Sequence, residues 1–308
     1  MKNLIAFLLV FTLIASSSQA QNICDLGIPC SDENENLLPL RQLKDYPLQV
    51  NLMKQLKSNK KWARLIAQNK MSVGIVDLSD LDQIKFASVN GDKMMYAASM
   101  PKIAVLLAAM DAIENGELKE TAAVRKDMNL MIAKSNNQAT TRMIDRVGFQ
   151  KIQDVLMHPD YKLYDKNHGG GLWVGKRYAA GGKTNRDPMR KLSHAATIDQ
   201  VCRFYYMLAH GQLVNEQRSA QMLKIMMDPK LHHKFVNTLD KVAPQAKVFR
   251  KSGSWRTFHS DSALVWGPNR KYILVAMVDD AGGEQIMRRL VKEVEKVLKP
   301  KRRILARK

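Results

Sequence analysis

Hydrophobic positions change period several times along this chain, and each change marks an element. From Leu48 to Ala67 the apolar residues Leu52, Met53, Leu56, Trp62, Leu65 and Ile66 recur at helical spacing with lysines between them, which predicts an amphipathic helix. Met71 to Asp77 then alternates and is β-branched, and Gln83 to Val89 leads to the turn signal Asn90-Gly91, so two strands follow. Ser99 to Glu114 has almost no polar face, which predicts a buried, central helix. Residues 120–225 carry helical patterns near Met128–Ile132, Ala139–Ile144 and Ile198–Leu208. Between them, Tyr161–Arg190 is rich in Gly, Lys and Asn, has no period, and reads as a long surface loop of the kind that tends to be functional. Lys247–Lys251, Ser262–Trp266 and Tyr272–Val278 predict three strands, with a turn at Gly267-Pro268-Asn269, and Gly282–Leu298 closes as a helix.

Two strands open the pattern, three close it, and helices fill the middle. That order predicts an α/β (α+β) fold over residues 48–298: a five-stranded antiparallel sheet built from both chain ends, with helices packed on it and an inserted helical lobe at about residues 117–240.

The chain ends add a compartment. Met1-Lys2-Asn3, an apolar run from Leu4 to Ile14 and small residues ending Ser18-Gln19-Ala20 read as a secretory signal peptide, residues 1–20, cleaved after Ala20. The run is shorter than the roughly 20 residues a membrane span needs, so a periplasmic or secreted protein without a transmembrane segment is expected. Residues 21–47 read as an irregular lead-in. Cys24 and Cys30 bracket a short loop that can close as a disulfide in an oxidising compartment, whereas Cys202 lies in an apolar helical pattern as a buried small hydrophobe. No cysteine pair has metal-ligand spacing near histidines, so neither a metal nor a cofactor is expected.

Charge is the unusual global feature: 49 Lys and Arg against 29 Asp and Glu give a formal net charge of +20. Such a field draws a protein to anionic partners such as envelope polymers. Lys299-Pro-Lys-Arg-Arg303, in a basic tail over residues 299–308, concentrates part of it. A solvated cationic surface explains the same composition. Export and the lack of a recognisable binding module argue against nucleic acid as a partner.

Three short motifs can carry chemistry. Ser99-Met100-Pro101-Lys102 sets a serine and a lysine one turn apart at the start of the most apolar helix. Burial and a neighbouring cation can lower the lysine pKa until it takes the serine proton. The helix N-terminus adds N–H donors and partial positive charge where an oxyanion would form. The same spacing at Ser58-Asn-Lys-Lys61 lies in a solvated, lysine-rich helix, where a lysine keeps its proton. Ser135-Asn136-Asn137 can present a hydroxyl and an amide to a cleft, or be simply a helix N-cap at Ser135. Lys251-Ser252-Gly253-Ser254, on a strand edge, can grip a carboxylate with Lys251 and Ser252. Gly253 there admits substrate, and the Ser254 N–H offers a second oxyanion donor. Alone, the same residues are a strand ending at a glycine bulge.

Taken in this order, over roughly residues 48–298, the motifs resemble the active-site serine β-lactamase and penicillin-binding-protein superfamily, closest in layout to class A β-lactamases. The resemblance implies Ser99 as acylated nucleophile, Lys102 as its base, Ser135 as proton relay to the leaving group and Asn137 as holder of the substrate amide. It implies Lys251 and Ser252 as the carboxylate site, the N–H groups of Ser99 and Ser254 as the oxyanion hole, and Lys251 as a like charge that keeps Lys102 neutral. The partner is then a small molecule or peptide bearing a carboxylate, either a β-lactam or a D-Ala-D-Ala-type amide.

Two departures qualify the resemblance. The stretch from Ser99 to Ser135 is shorter than in typical class A enzymes. Those enzymes also activate the deacylating water with a loop glutamate, and here no glutamate occurs between Glu120 and Glu216. Asp160, Asp165 and Asp187 are the carboxylates of the loop region, and His168 is its candidate base. Acylation with slow deacylation of β-lactams is therefore expected. A serine esterase of the same fold and a non-catalytic cationic binder of anionic envelope polymers are the alternatives.

Overall fold

In the computed structural model, which describes residues 23–28, 37–227 and 229–299, the chain begins with α1 (Tyr46–Lys57) and α2 (Lys60–Ala67). β1 (Met71–Asp77), β2 (Lys85–Val89) and β3 (Met95–Tyr96) follow, then α3 (Lys102–Glu114), α4 (Ala122–Ala133), α5 (Asn137–Val147) and α6 (Phe149–Met157). The loop region holds β4 (Tyr164–Asp165), β5 (Gly170–Gly171), β6 (Trp173–Val174) and β7 (His194–Ala196). α7 (Ile198–Ala209), α8 (Glu216–Met226) and α9 (Phe235–Val242) lead to β8 (Lys247–Trp255), β9 (Phe258–Gly267), β10 (Arg270–Asp279) and α10 (Gly283–Leu298). The expected signal peptide, Cys30 and residues 300–308 of the basic tail lie outside the described residues.

Strands from the two ends of the chain meet at the sheet centre. β1 pairs antiparallel with β10, Met71 opposite Val278, within a five-stranded sheet of order β2-β1-β10-β9-β8. Alternation sends side chains to opposite faces. Val73, Ile75, Leu274 and Ala276 face a layer with residues of α1, α2, α9 and α10. Ile273, Val275, Met277 and Leu264 face a core that includes α3, α7 and α8. With both faces covered, the closing strands read as almost continuous apolar runs. α7 presses onto β1 at Gly74, where an added Cβ would lie 2.3 Å from Ile198 Cγ2 and 2.8 Å from Cys202 Sγ. The Cys202 thiol is free and buried.

Several elements differ from the periodicity reading. The helix expected over Leu48–Ala67 is two helices, because Asn59 caps α2 by accepting the Trp62 N–H at 3.1 Å. The lead-in belongs to the fold: Ile23, Leu26 and Ile28 are buried, and Lys247 Nζ and Trp266 Nε1 donate to Leu26 O and Gly27 O at 2.8 and 2.7 Å. Cys24 is half of a disulfide. The stretch read as a long surface loop without period contains two-residue strands, β4 paired with β5, and β6 joined to β7 and β3 in a second sheet of order β3-β7-β6. Pairs of residues that short carry no period. Among the described residues no helix is long and apolar enough to cross a membrane.

Candidate active site

Ser99 lies in a tight turn just before α3, which begins at Lys102 rather than at Ser99. The Met100 N–H donates to Ala97 O at 3.1 Å, and the Lys102 N–H to Ser99 O at 3.3 Å. Three contacts pin this turn from outside. The Ala97 N–H donates to His194 O of β7 at 2.9 Å, Ser260 Oγ of β9 donates to Ala97 O at 2.7 Å, and the Tyr178 hydroxyl donates to Ala98 O at 3.1 Å. Ala98 is held in the left-handed region, φ 49°, a conformation non-glycine residues seldom take and that active sites retain against its cost. Gly253 of β8 closes the other side. A Cβ there would lie 2.4 Å from Ser99 N and 2.6 Å from Ala97 O, so only glycine lets β8 pass this close to the Ser99 backbone.

Lys102, fully buried, points from the first turn of α3 to the α4–α5 connection. It donates to Ser135 O at 2.6 Å, to Asn137 Oδ1 at 2.8 Å and to Ser135 Oγ at 3.3 Å. Ser135 itself has φ 53°, and the helix cap is its neighbour Asn136, whose side chain accepts the Ala139 N–H at 2.8 Å. The N-cap reading of Ser135 is thereby corrected: Asn136 takes that work, and the Ser135 hydroxyl faces the lysines. Lys251 reaches it from β8, donating to Ser135 Oγ at 2.9 Å and to Ser252 O at 2.7 Å. Hydrogen bonds thus join Lys102, Ser135, Asn137, Lys251 and Ser252 from α3, the α4–α5 connection and the edge strand, Gly253 lies against the Ser99 backbone, and Ser254 follows on β8, exposed.

Burial sets the electrostatics. Desolvation lowers Lys102 to about 7, so both its protonation states are accessible near neutrality. Lys251 is pushed well below the ordinary lysine range, first by burial and then by the charges of Lys102 and Arg250. The expectation that Lys251 keeps Lys102 neutral is therefore refined: burial is what lowers Lys102, and the mutual repulsion bears on Lys251.

Two groups that sequence reasoning missed complete the wall. The Tyr178 ring lies under Lys102 Nζ, 4.5 Å from its centroid, a cation–π geometry. His194 packs on Tyr178 with ring centroids 4.2 Å apart, and burial pushes it down to about 4, so it is neutral and serves as a prop. Neither had a signal, since both sit in segments whose path is set by strands of two or three residues.

Other candidates lie elsewhere. His168 Nδ1 is 2.7 Å from Asp165 Oδ2, and both line a cavity with Arg41, Lys162, Asp199 and Arg203, away from Lys102 and Ser135. Buried Asp187 accepts the N–H groups of Met189, Arg190 and Leu192 and the Tyr164 hydroxyl, which makes it the staple of a turn. Asp160 is exposed, and its backbone carbonyl accepts from Arg203. In the second Ser-x-x-Lys, Ser58 bonds Gln55 O and Lys61 pairs with Asp280 at 2.7 Å.

The architecture is that of a β-lactamase-like serine hydrolase. A model of the beta-lactamase enzyme family matches residues 57–129 and 119–298, and the chain belongs to that family. A β-lactamase from Sphaerobacter thermophilus is similar in structure, with TM-score 0.62 and 17% identity, over 80% of this chain and 95% of that one. PBP-A gives TM-score 0.59 and 18% identity over 82% and 96%. A mutant of PBP-A, solved as an acyl-enzyme complex with penicillin G, gives TM-score 0.61 and 19% identity over 84% and 98%. No curated protein matches the sequence.

Proposed function

We propose that this chain is an exported serine hydrolase that forms an acyl-enzyme on Ser99 with a β-lactam or a D-Ala-D-Ala-type amide bearing a carboxylate. The observation that carries the reading is the convergence of two buried lysines, Lys102 three residues after Ser99 and Lys251 of β8, on the Ser135 hydroxyl. Neutral Lys102 takes the Ser99 proton as Oγ bonds the carbonyl carbon, and the N–H groups of Ser99 and Ser254 receive the oxyanion. The C–N bond then breaks as Lys102 returns the proton through Ser135 to the leaving nitrogen, leaving an ester on Ser99. Lys251 and Ser252 receive the substrate carboxylate.

Deacylation of a β-lactam is slow in this reading. The hydrogen-bond partners of Lys102 are a carbonyl, a hydroxyl and an amide, and an aromatic ring packs beside it. The residues between Glu120 and Glu216 include no glutamate to activate water. Labelling with a fluorescent penicillin tests the proposal: the purified protein takes the label, Ser99→Ala does not, and a D-Ala-D-Ala peptide competes. Equal labelling of Ser99→Ala, or none of the wild type, refutes it.

A further inference from the structure

A third buried lysine stands behind the cleft. Lys234, fully buried at the start of α9, has φ 54°, and its Nζ donates to two backbone carbonyls, Gly253 O at 2.5 Å and Ser260 O at 3.0 Å. Gly253 and Ser260 face each other across β8 and β9. The Arg256-Thr257 turn closes on the Trp255–Phe258 pair, so mutually hydrogen-bonded pairs alternate from there and Gly253–Ser260 is one of them. Its carbonyls already have ladder partners, so the sheet does not need an ammonium to satisfy them. Burying one costs desolvation and a left-handed backbone.

Ser254 pairs with His259 without exchanging hydrogen bonds, and β8 is the sheet edge. Its N–H therefore leaves the sheet on the free side, the side of Ser99. Gly253 O and Ser254 N belong to one peptide group, and a cation on the oxygen draws electrons from the nitrogen, making the N–H a stronger donor. We propose that Lys234 is a positioning residue of the acyl-transfer site: its ammonium, seated on Gly253 O, polarises the Gly253–Ser254 peptide and strengthens the Ser254 N–H toward the oxyanion. This rests on the functional reading above.

Asp261, Arg250 and Glu284 are the charged groups that act on Lys234, and Asp261 also accepts the Phe235 N–H that starts α9, at 3.0 Å. His233 and His259 are both held below the ordinary histidine range by burial, so they are neutral above pH 7. Lys251 shares the same field and reports separately through Ser135.

The test pairs two readouts on the full chain: the 15N shift of the Ser254 amide, and the rate of Ser99 acylation by benzylpenicillin. Lys234→Met keeps the length and removes the charge. It is expected to move the Ser254 resonance and slow acylation about 10-fold, a fraction of the 10²–10³-fold lost when an oxyanion donor is removed outright. The apparent dissociation constant of the penicillin changes less than about 2-fold, because its carboxylate site is untouched. Lys234→Arg restores most of the rate. An unmoved Ser254 amide, or wild-type acylation in folded Lys234→Met, overturns the proposal. Should that variant not fold, the wild type decides: burial lowers Lys234 to about 8, and a Ser254 amide whose shift does not follow the loss of the Lys234 proton overturns it equally. If the wild type takes no penicillin, the functional reading fails, while the Ser254 amide still decides the Lys234 contact.

Discussion

Lys102 and Lys251, one from α3 and one from β8, place their nitrogens 3.3 and 2.9 Å from the same acceptor, the Ser135 hydroxyl. A hydroxyl accepts from one side and donates to the other. When Lys102 is neutral, Lys251 can donate to Ser135 and Ser135 to Lys102, which gives the hydrogen-bond chain a direction. Ser135→Ala removes the shared atom and should slow acylation by about 10²–10⁴-fold, the usual range for losing a proton-transfer group. Stopped-flow acylation measures it, and a loss under 5-fold would exclude a relay at Ser135.

The pH dependence follows from Lys102. Its pKa is lowered to about 7 by burial, so below that pH it holds a proton and cannot take one from Ser99. The acylation rate should rise with pH through about 7 as Lys102 loses its proton and fall above about 8 as Lys234 loses its charge, with no rising limb near the ordinary lysine value. A rate constant that is flat between pH 5 and pH 8 would contradict Lys102 as the base.

Gly253→Ala should damage the site directly. The added methyl meets Ser99 N at 2.4 Å and Ala97 O at 2.6 Å, and both are backbone atoms that cannot rotate away. Overpacking of this kind costs about 1–3 kcal/mol, and the displaced turn should cut acylation at least 10-fold. Urea unfolding together with acylation kinetics checks both parts.

Arg250 and Asp261 form a buried ion pair at 2.7 Å, with side chains 2% and 0% exposed. Asp261 also accepts the Phe235 N–H and so joins α9 to the sheet. Asp261→Ala strands the guanidinium and should destabilise the protein by about 3–5 kcal/mol, measurable by urea unfolding.

The sheet was legible because its strands run five residues or more and both faces are covered, so β9 and β10 read as nearly continuous apolar runs and β1 as a β-branched stretch. Ser99, Lys102, Ser135 and Lys251 were legible as local spacings whose meaning came from their order along the chain. Tyr178 was not, because its place over Lys102 depends on two-residue strands without period. Nor was Lys234, which follows His232-His233 in a polar stretch and reads as a surface residue. Its burial depends on a left-handed backbone that no side-chain pattern announces.

The central claim is a long-lived acyl group on Ser99. Intact mass of the purified protein, followed over time after addition of benzylpenicillin, tests it most directly. The account predicts a persistent adduct of one drug molecule that is absent in Ser99→Ala. Drug consumed with only a fleeting adduct, or an adduct that survives in Ser99→Ala, would contradict it.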